Sequence, residues 1–210
     1  MNTFKAPYIT KAEIDSAASD FTLKYWKDKS SPIDVEKIAE IDLRLNIIPV
    51  KNLLNDFGVD AFISRDMKSI TIDYDIYDLP VSESRRRFSI AHEIGHLVLH
   101  SEVYKSMTFT NPDEWIETVR EIPEDQYSFL EFQAYEFAGR LLVPRDQLLK
   151  SLALQKEIIA TNRLYSRIED KEALLDYVIS KVSRDYKVSK NTIEKRLRSD
   201  GIDEYDILGI

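Results

Sequence analysis

Residues 85–100, RRRFSIAHEIGHLVLH, hold all three histidines of a 210-residue chain, and the three are spaced four apart. On an α-helix, positions i and i+4 are neighbours on one face, so His92 and His96 can aim a ring nitrogen each at a common point. Two ligands for a metal ion are thereby in register. Glu93 is turned by about 100° from His92, where its carboxylate reaches a water at that point without ligating the ion. This is the H-E-x-x-H arrangement, in which the glutamate serves as general base. Five residues can match by chance on a solvated helix. The surroundings argue otherwise, because Phe88, Ile90, Ala91, Ile94, Leu97, Val98 and Leu99 make the segment apolar nearly all round, the mark of a buried helix, where unpaired histidine and glutamate are costly.

A catalytic zinc takes three protein ligands and keeps one position open. The chain has no cysteine, and His100 lies eight residues beyond His92, about 12 Å along the axis. His100 is read as a structural residue at the helix C-terminus, with an outer-shell or substrate contact as the lesser alternative. Position 102, where a longer histidine motif would place a third ring, is Glu102. The third ligand is therefore an Asp or Glu. In YSFLEFQAYEFAGRLLVP, Glu131 shares a helical stripe with Tyr127, Ala134, Ala138 and Leu141 or Leu142, and so points to the apolar side, where a carboxylate needs a cation. Glu136 precedes Arg140 by four residues, the spacing of an ordinary surface ion pair. Glu131 is the expected ligand.

The elements that must carry these groups are legible in outline. Thr10–Glu13 has the form of a capping box, and Ile14, Ala17, Ala18, Phe21 and Tyr25 follow at helical spacing, predicting a helix over about residues 11–28. Pro32 suits the first turn of a second helix through Leu45. LNIIPV, VDAFIS and SITIDYD read as strands of a small antiparallel sheet, and Ser82 as the cap of the histidine helix. Residues 101–125, with Pro112 and Pro123, read as a long connector or lid beside the site. Its acidic bias, Asp113, Glu114, Glu117, Glu121, Glu124 and Asp125 against Lys105 and Arg120, is read as a solvated face. A helix runs from near Gln126 to before Pro144, and helical sequence follows. The class is α+β.

The two motifs RFSIAHEIGHLVLH and EFQAYEFAGRLLVP closely resemble those of the ImmA/IrrE metallopeptidases, an AHE-x-GH-x-x-LH helix followed by E-x-x-A-N/D-x-FA-x-x-LL-x-P. The resemblance extends more weakly through PIDVEKIAEIDLRLNIIPV, SITID and YKVSKNTIEKRL, over most of residues 32–200. It implies a zincin-like core, one Zn2+ per chain held by His92, His96 and Glu131, and Glu93 as catalytic base. Tyr135 stands where the family usually has Asn or Asp, so a hydrogen bond made there must be altered. Members of that family cut or antagonise helix-turn-helix repressors and so switch on genes of mobile elements or stress responses. A protein substrate of that kind is the expected partner. Tyr104, Tyr127 and His100 are candidates for stabilising an oxyanion, by proximity in sequence.

A reading of another class is a regulator that binds a repressor or DNA through KVSRDYKVSKNTIEKRLRSDG, its metal site structural or vestigial. Ser189 would cap a helix after a tight turn there, and seven basic residues stand against two acids between Lys181 and Arg198. The net charge of −8 makes broad nucleic-acid binding the weaker expectation. No signal-like start and no apolar run of about 20 residues is present, which predicts a cytoplasmic protein. One domain over 1–210 is expected, with an accessory helix in 1–31, the zinc-site core in 32–145 and a helical subdomain in 146–210.

Overall fold

The computed structural model describes residues 4–27, 29, 31–162, 165 and 170–203. They group into two compact units, one taking in the chain up to Asp28 together with Asp34–Leu141, the other Lys29–Ile33 and everything from Leu142 on.

The first unit opens with α1, Lys11–Tyr25, started by the expected capping box: Thr10 accepts from the Glu13 N–H and the Glu13 carboxylate accepts from the Thr10 N–H. The second helix does not begin at Pro32. Asp34 caps a single turn, α2 (Val35–Lys37), which widens at once into π-helical Ile38–Asp42. The strands β1 (Asn46–Val50), β2 (Ala61–Ile63) and β3 (Ser69–Asp73) fall where expected, but the sheet is mixed, in the order β1-β3-β2. β2 and β3 form an antiparallel hairpin whose turn uses Met67 at positive φ and Ser64 Oγ as acceptor for the Lys68 and Ser69 N–H groups. A short helix, α3 (Leu53–Phe57), carries the chain from β1 to the far edge, and β2 then runs it back, so that β3 enters between them parallel to β1. Asp73 ties these parts together, its carboxylate accepting from Leu54 N–H and from the first turn of α4 (Tyr74–Asp78).

The histidine helix, α5, spans Glu83–Leu99. Ser82 precedes it but makes no side-chain cap bond. Ile90, Ala91, Ile94, Gly95 and His96 are buried, whereas Val98 is exposed, so the helix is central with one edge open. The lid expected over 101–125 is instead two further helices, α6 (Ser101–Ser106) and α7 (Pro112–Glu121). Asn111 caps α7 by accepting from Glu114 N–H, and Pro112 fills its first turn. Trp115, buried, then stacks on Phe62 of β2 at 5.0 Å. The acidic residues of α7 are solvent-exposed, as a solvated face requires.

α8, Glu124–Leu142, runs against α5. A Cβ at Gly95 would lie 3.0 Å from the Ala134 carbonyl oxygen, 3.1 Å from Ala134 Cα and 3.3 Å from the Phe137 ring. Glycine there permits the approach that brings Glu131 over the histidines. The N-terminal segment fastens to the same helix: Ala6 N–H donates to Gln126 Oε1, Gln133 Nε2 donates to the Pro7 carbonyl, and Arg140 pairs with Asp15. Glu136 and Arg140 do pair, but not on the surface. Arg140 is buried and Glu136 nearly so, because α1 covers them.

The second unit is helical: α9 (Arg145–Thr161), α10 (Lys171–Tyr186) and α11 (Lys190–Ser199). Lys187, at positive φ, makes the tight turn after α10, and Ser189 caps α11 by accepting from Thr192 N–H. Among the described residues no helix is long and apolar enough to cross a membrane.

Candidate metal centre

His92 and His96, one turn apart on α5, meet Glu131 of α8. His92 Nε2 is 3.1 Å from His96 Nε2 and 3.1 Å from Glu131 Oε2, and His96 Nε2 is 3.3 Å from Glu131 Oε1. A tetrahedral ion with ligands at about 2.0–2.1 Å sets neighbouring donors about 3.3–3.4 Å apart. Three donors converge at nearly that spacing, and among the described residues they form a group able to hold a metal ion. With both facing ring nitrogens bare, as ligation requires, the two imidazoles and the carboxylate would repel one another at this spacing, and a cation would relieve the repulsion.

Charge follows the same geometry. Burial opposes ionisation of Glu131, but its contacts with the His92 and His96 rings outweigh it and hold the carboxyl far below the usual range. Burial disfavours charge on His92, yet the Glu131 contact overcomes this and raises its pKa. Glu93 ligates nothing. It is buried, its pKa is raised chiefly by desolvation, and Oε2 has no hydrogen-bond partner. A buried carboxylate with raised basicity beside a metal cluster is suited to accept a proton.

These groups line a cleft of about 260 Å³, together with the chain entering β2, Phe88 of α5 and Trp115 of α7. Arg85 holds the entering chain in place through two hydrogen bonds to Asp60, at 2.7 and 2.6 Å. Of the three residues considered for an oxyanion, Tyr104 and Tyr127 line the cleft and His100 does not. Burial first, then nearby carboxylates, pushes both phenols up, so both stay protonated donors. Tyr135 packs its ring on Phe88 at 4.7 Å, beside the cleft.

His100 is more than a helix-end residue. Its Nδ1 lies 3.0 Å from His96 Nδ1, and its Nε2 lies 2.7 Å from Gln133 Oε1. The chain leaves helical geometry at His100, and the same four-residue rule that joins His92 to His96 joins His96 to His100. Its place relative to His96, not to His92, sets its role. Gln133 and Trp115 were not foreseen at all. An isolated Gln in an apolar stripe is the signal that could have pointed to Gln133, and Asn-Pro followed by two acids the signal for the helix carrying Trp115.

A helix bearing H-E-x-x-H, completed by a glutamate from a second helix beside a small mixed sheet, defines a metallopeptidase type of centre. The chain belongs to the peptidase family described as the IrrE N-terminal-like domain, whose pattern matches residues 78–198. Its fold is similar to that of a Mycobacterium tuberculosis transcriptional regulator, with a TM-score of 0.51 at 17% identity over 90% of this chain and 47% of that one. The chain thus spans about half the length of that structure. No curated protein matches it in sequence.

Proposed function

We propose that the protein is a zinc-dependent endopeptidase of the ImmA/IrrE type, with His92, His96 and Glu131 as zinc ligands and Glu93 as catalytic base. Its substrate in this reading is a specific helix-turn-helix repressor, whose cleavage derepresses mobile-element or stress-response genes. Residues 32–145 form the working core, with 1–31 an accessory element and 146–210 a helical subdomain. The observation that carries the reading is the convergence of three donor atoms, 3.1–3.3 Å apart, beside a buried glutamate that is not one of them. A structural zinc usually has four protein ligands and needs no base.

Zinc held there would supply a Lewis acid for the scissile carbonyl and an acidified water. Glu93 takes the proton of the attacking water and passes it to the departing amine nitrogen, a two-way role that its raised pKa favours. Tyr104 and Tyr127, kept protonated, line the cleft as O–H donors for charge developing on the carbonyl oxygen, Tyr127 with a hydrogen bond to Glu131 as well.

The regulator reading has some support in the turn and the capped helix after Lys187. Its charge does not fit DNA. Four of the seven cations are engaged in ion pairs, Lys181 with Asp185, Lys190 with Asp176, Arg196 with Asp200 and Arg198 with Glu194, which leaves a poor phosphate-binding face.

Glu93→Gln separates the two. The variant should retain zinc and bind a small helix-turn-helix repressor encoded beside the gene, yet cleave it at least ~100-fold more slowly than wild type on co-incubation. A folded, zinc-loaded Glu93→Gln protein that still induces its target genes normally would defeat the peptidase reading.

A further inference from the structure

A hydrogen-bonded line runs away from the metal cluster: His96 Nδ1 to His100 Nδ1 at 3.0 Å, His100 Nε2 to Gln133 Oε1 at 2.7 Å, and Gln133 Nε2 to the Pro7 carbonyl at 2.9 Å. His96, His100 and Gln133 are all at most 1% exposed, so bulk solvent is not an alternative partner. The last member decides the rest. A proline carbonyl can only accept, so the Gln133 amide must turn its NH2 to Pro7 and its oxygen to His100. The reverse orientation would set two oxygens against each other at 2.9 Å. The Gln133 oxygen can only accept, so His100 carries its proton on Nε2 and its neutral ring leaves Nδ1 bare. A bare His100 Nδ1 requires a donor, so His96 carries its proton on Nδ1. His96 Nε2, the atom aimed at His92 and Glu131, is then the unprotonated one.

We infer that Gln133 and His100 are positioning residues that set the tautomer of His96, with the Pro7 carbonyl of the N-terminal segment as the origin of the polarity. The inference rests on the proposed zinc site but concerns the protein before any metal enters. Of the two neutral tautomers of His96, only the one with bare Nε2 can ligate at the cluster, so a ring locked in that form pays nothing to switch when metal binds. The N-terminal segment is itself pinned by Ala6 N–H on Gln126, one helix carrying both ties and Glu131. The line thus draws on two parts of the chain, 126 residues apart, to orient one nitrogen atom.

The test begins with 15N NMR of the imidazoles in the chelator-treated, full-length protein. His96 should be protonated at Nδ1 and His100 at Nε2. His96 protonated at Nε2 in the metal-free state would overturn the inference, whatever the zinc affinity. Zinc affinity, measured by competition with a chromophoric chelator, supplies the second arm. Gln133→Met and His100→Phe, which keep bulk but break the line, should each weaken zinc binding about 10–100-fold. His100→Gln should recover most of the loss, since its amide can accept from His96 and donate to Gln133. Wild-type affinity in both disrupted variants, or no recovery in His100→Gln, counts against the inference. Should wild type itself take up no zinc, the proposed function fails while the tautomer measurement still judges this inference on its own.

Discussion

Gly95→Ala is the substitution that a helix-propensity argument and the packing of this fold predict in opposite directions. In an exposed helix interior the change stabilises by about 0.8–1 kcal/mol. Here the new methyl meets Ala134 O at 3.0 Å, Ala134 Cα at 3.1 Å and the Phe137 ring at 3.3 Å. Two of those atoms are backbone of α8, and Phe137 is fully buried, so no flexible side-chain end can yield. Overpacking of this kind costs about 1–3 kcal/mol, which leaves a net loss of roughly 0–2 kcal/mol once the propensity gain is subtracted. The relief available is for α8 to move out by a few tenths of an ångström. Ala134 is one turn from Glu131, so the carboxylate moves with it, while metal–donor distances tolerate only about ±0.2 Å. Zinc affinity should therefore fall about 10-fold or more, a larger effect than the change in stability of the metal-free protein. Urea denaturation of the chelated protein and chelator competition for zinc measure the two separately. A Gly95→Ala protein that is about 1 kcal/mol more stable and binds zinc as wild type does would refute the reasoning about the α5–α8 approach.

Two other outcomes are expected. Glu131→Ala should lower zinc affinity far more than Glu136→Ala, whereas Glu136→Ala should cost the fold up to about 3 kcal/mol by taking a carboxylate partner from buried Arg140; equal zinc losses in the two variants would contradict the ligand assignment. Burial first, and then the charge of His96, holds His100 down to about 4, below the ~6.5 of an unfolded histidine. The unfolded chain therefore binds this proton first as pH falls, and the chelated protein should keep its full stability above pH ~6.5 and lose on the order of 3 kcal/mol between there and pH ~4. Urea titrations at several pH values compare wild type with His100→Gln, and an equally steep loss in the variant would remove His100 as the cause.

The centre was more legible than its frame. His92, Glu93 and His96 follow from a local rule of helical spacing, and Glu131 from one stripe on one helix, so the residues brought together could be named from short windows. Parallel pairing of β1 with β3 could not be, because it depends on α3 carrying the chain past the place that β3 later fills, and five residues make too short a helix to show a period. Glu136 and Arg140 look like any i,i+4 surface pair, since nothing near them tells that α1, 125 residues earlier, covers them. His100 obeys the same spacing rule as its neighbours, but its partner under that rule is His96 and not the more distant His92. Gln133 links His100 to Pro7, and the second of those contacts spans 126 residues.

The ties between the N-terminal segment and α8 bear on the order of assembly. Ala6 with Gln126, Pro7 with Gln133 and Asp15 with Arg140 close loops of 120–126 residues. Such a loop costs only about 2 kcal/mol more to close than one roughly a tenth as long, so the thermodynamic burden is slight. The kinetic one is not, because non-local contacts form late. At about 5–20 residues per second of synthesis, Pro7 waits roughly 7–27 s before Leu142 completes α8. For roughly the last third of that interval, after Leu99 has been made, the H-E-x-x-H segment has neither its third donor nor the complete line that orients His96. A nascent chain therefore lacks the complete three-donor group until α8 of the first unit has been made.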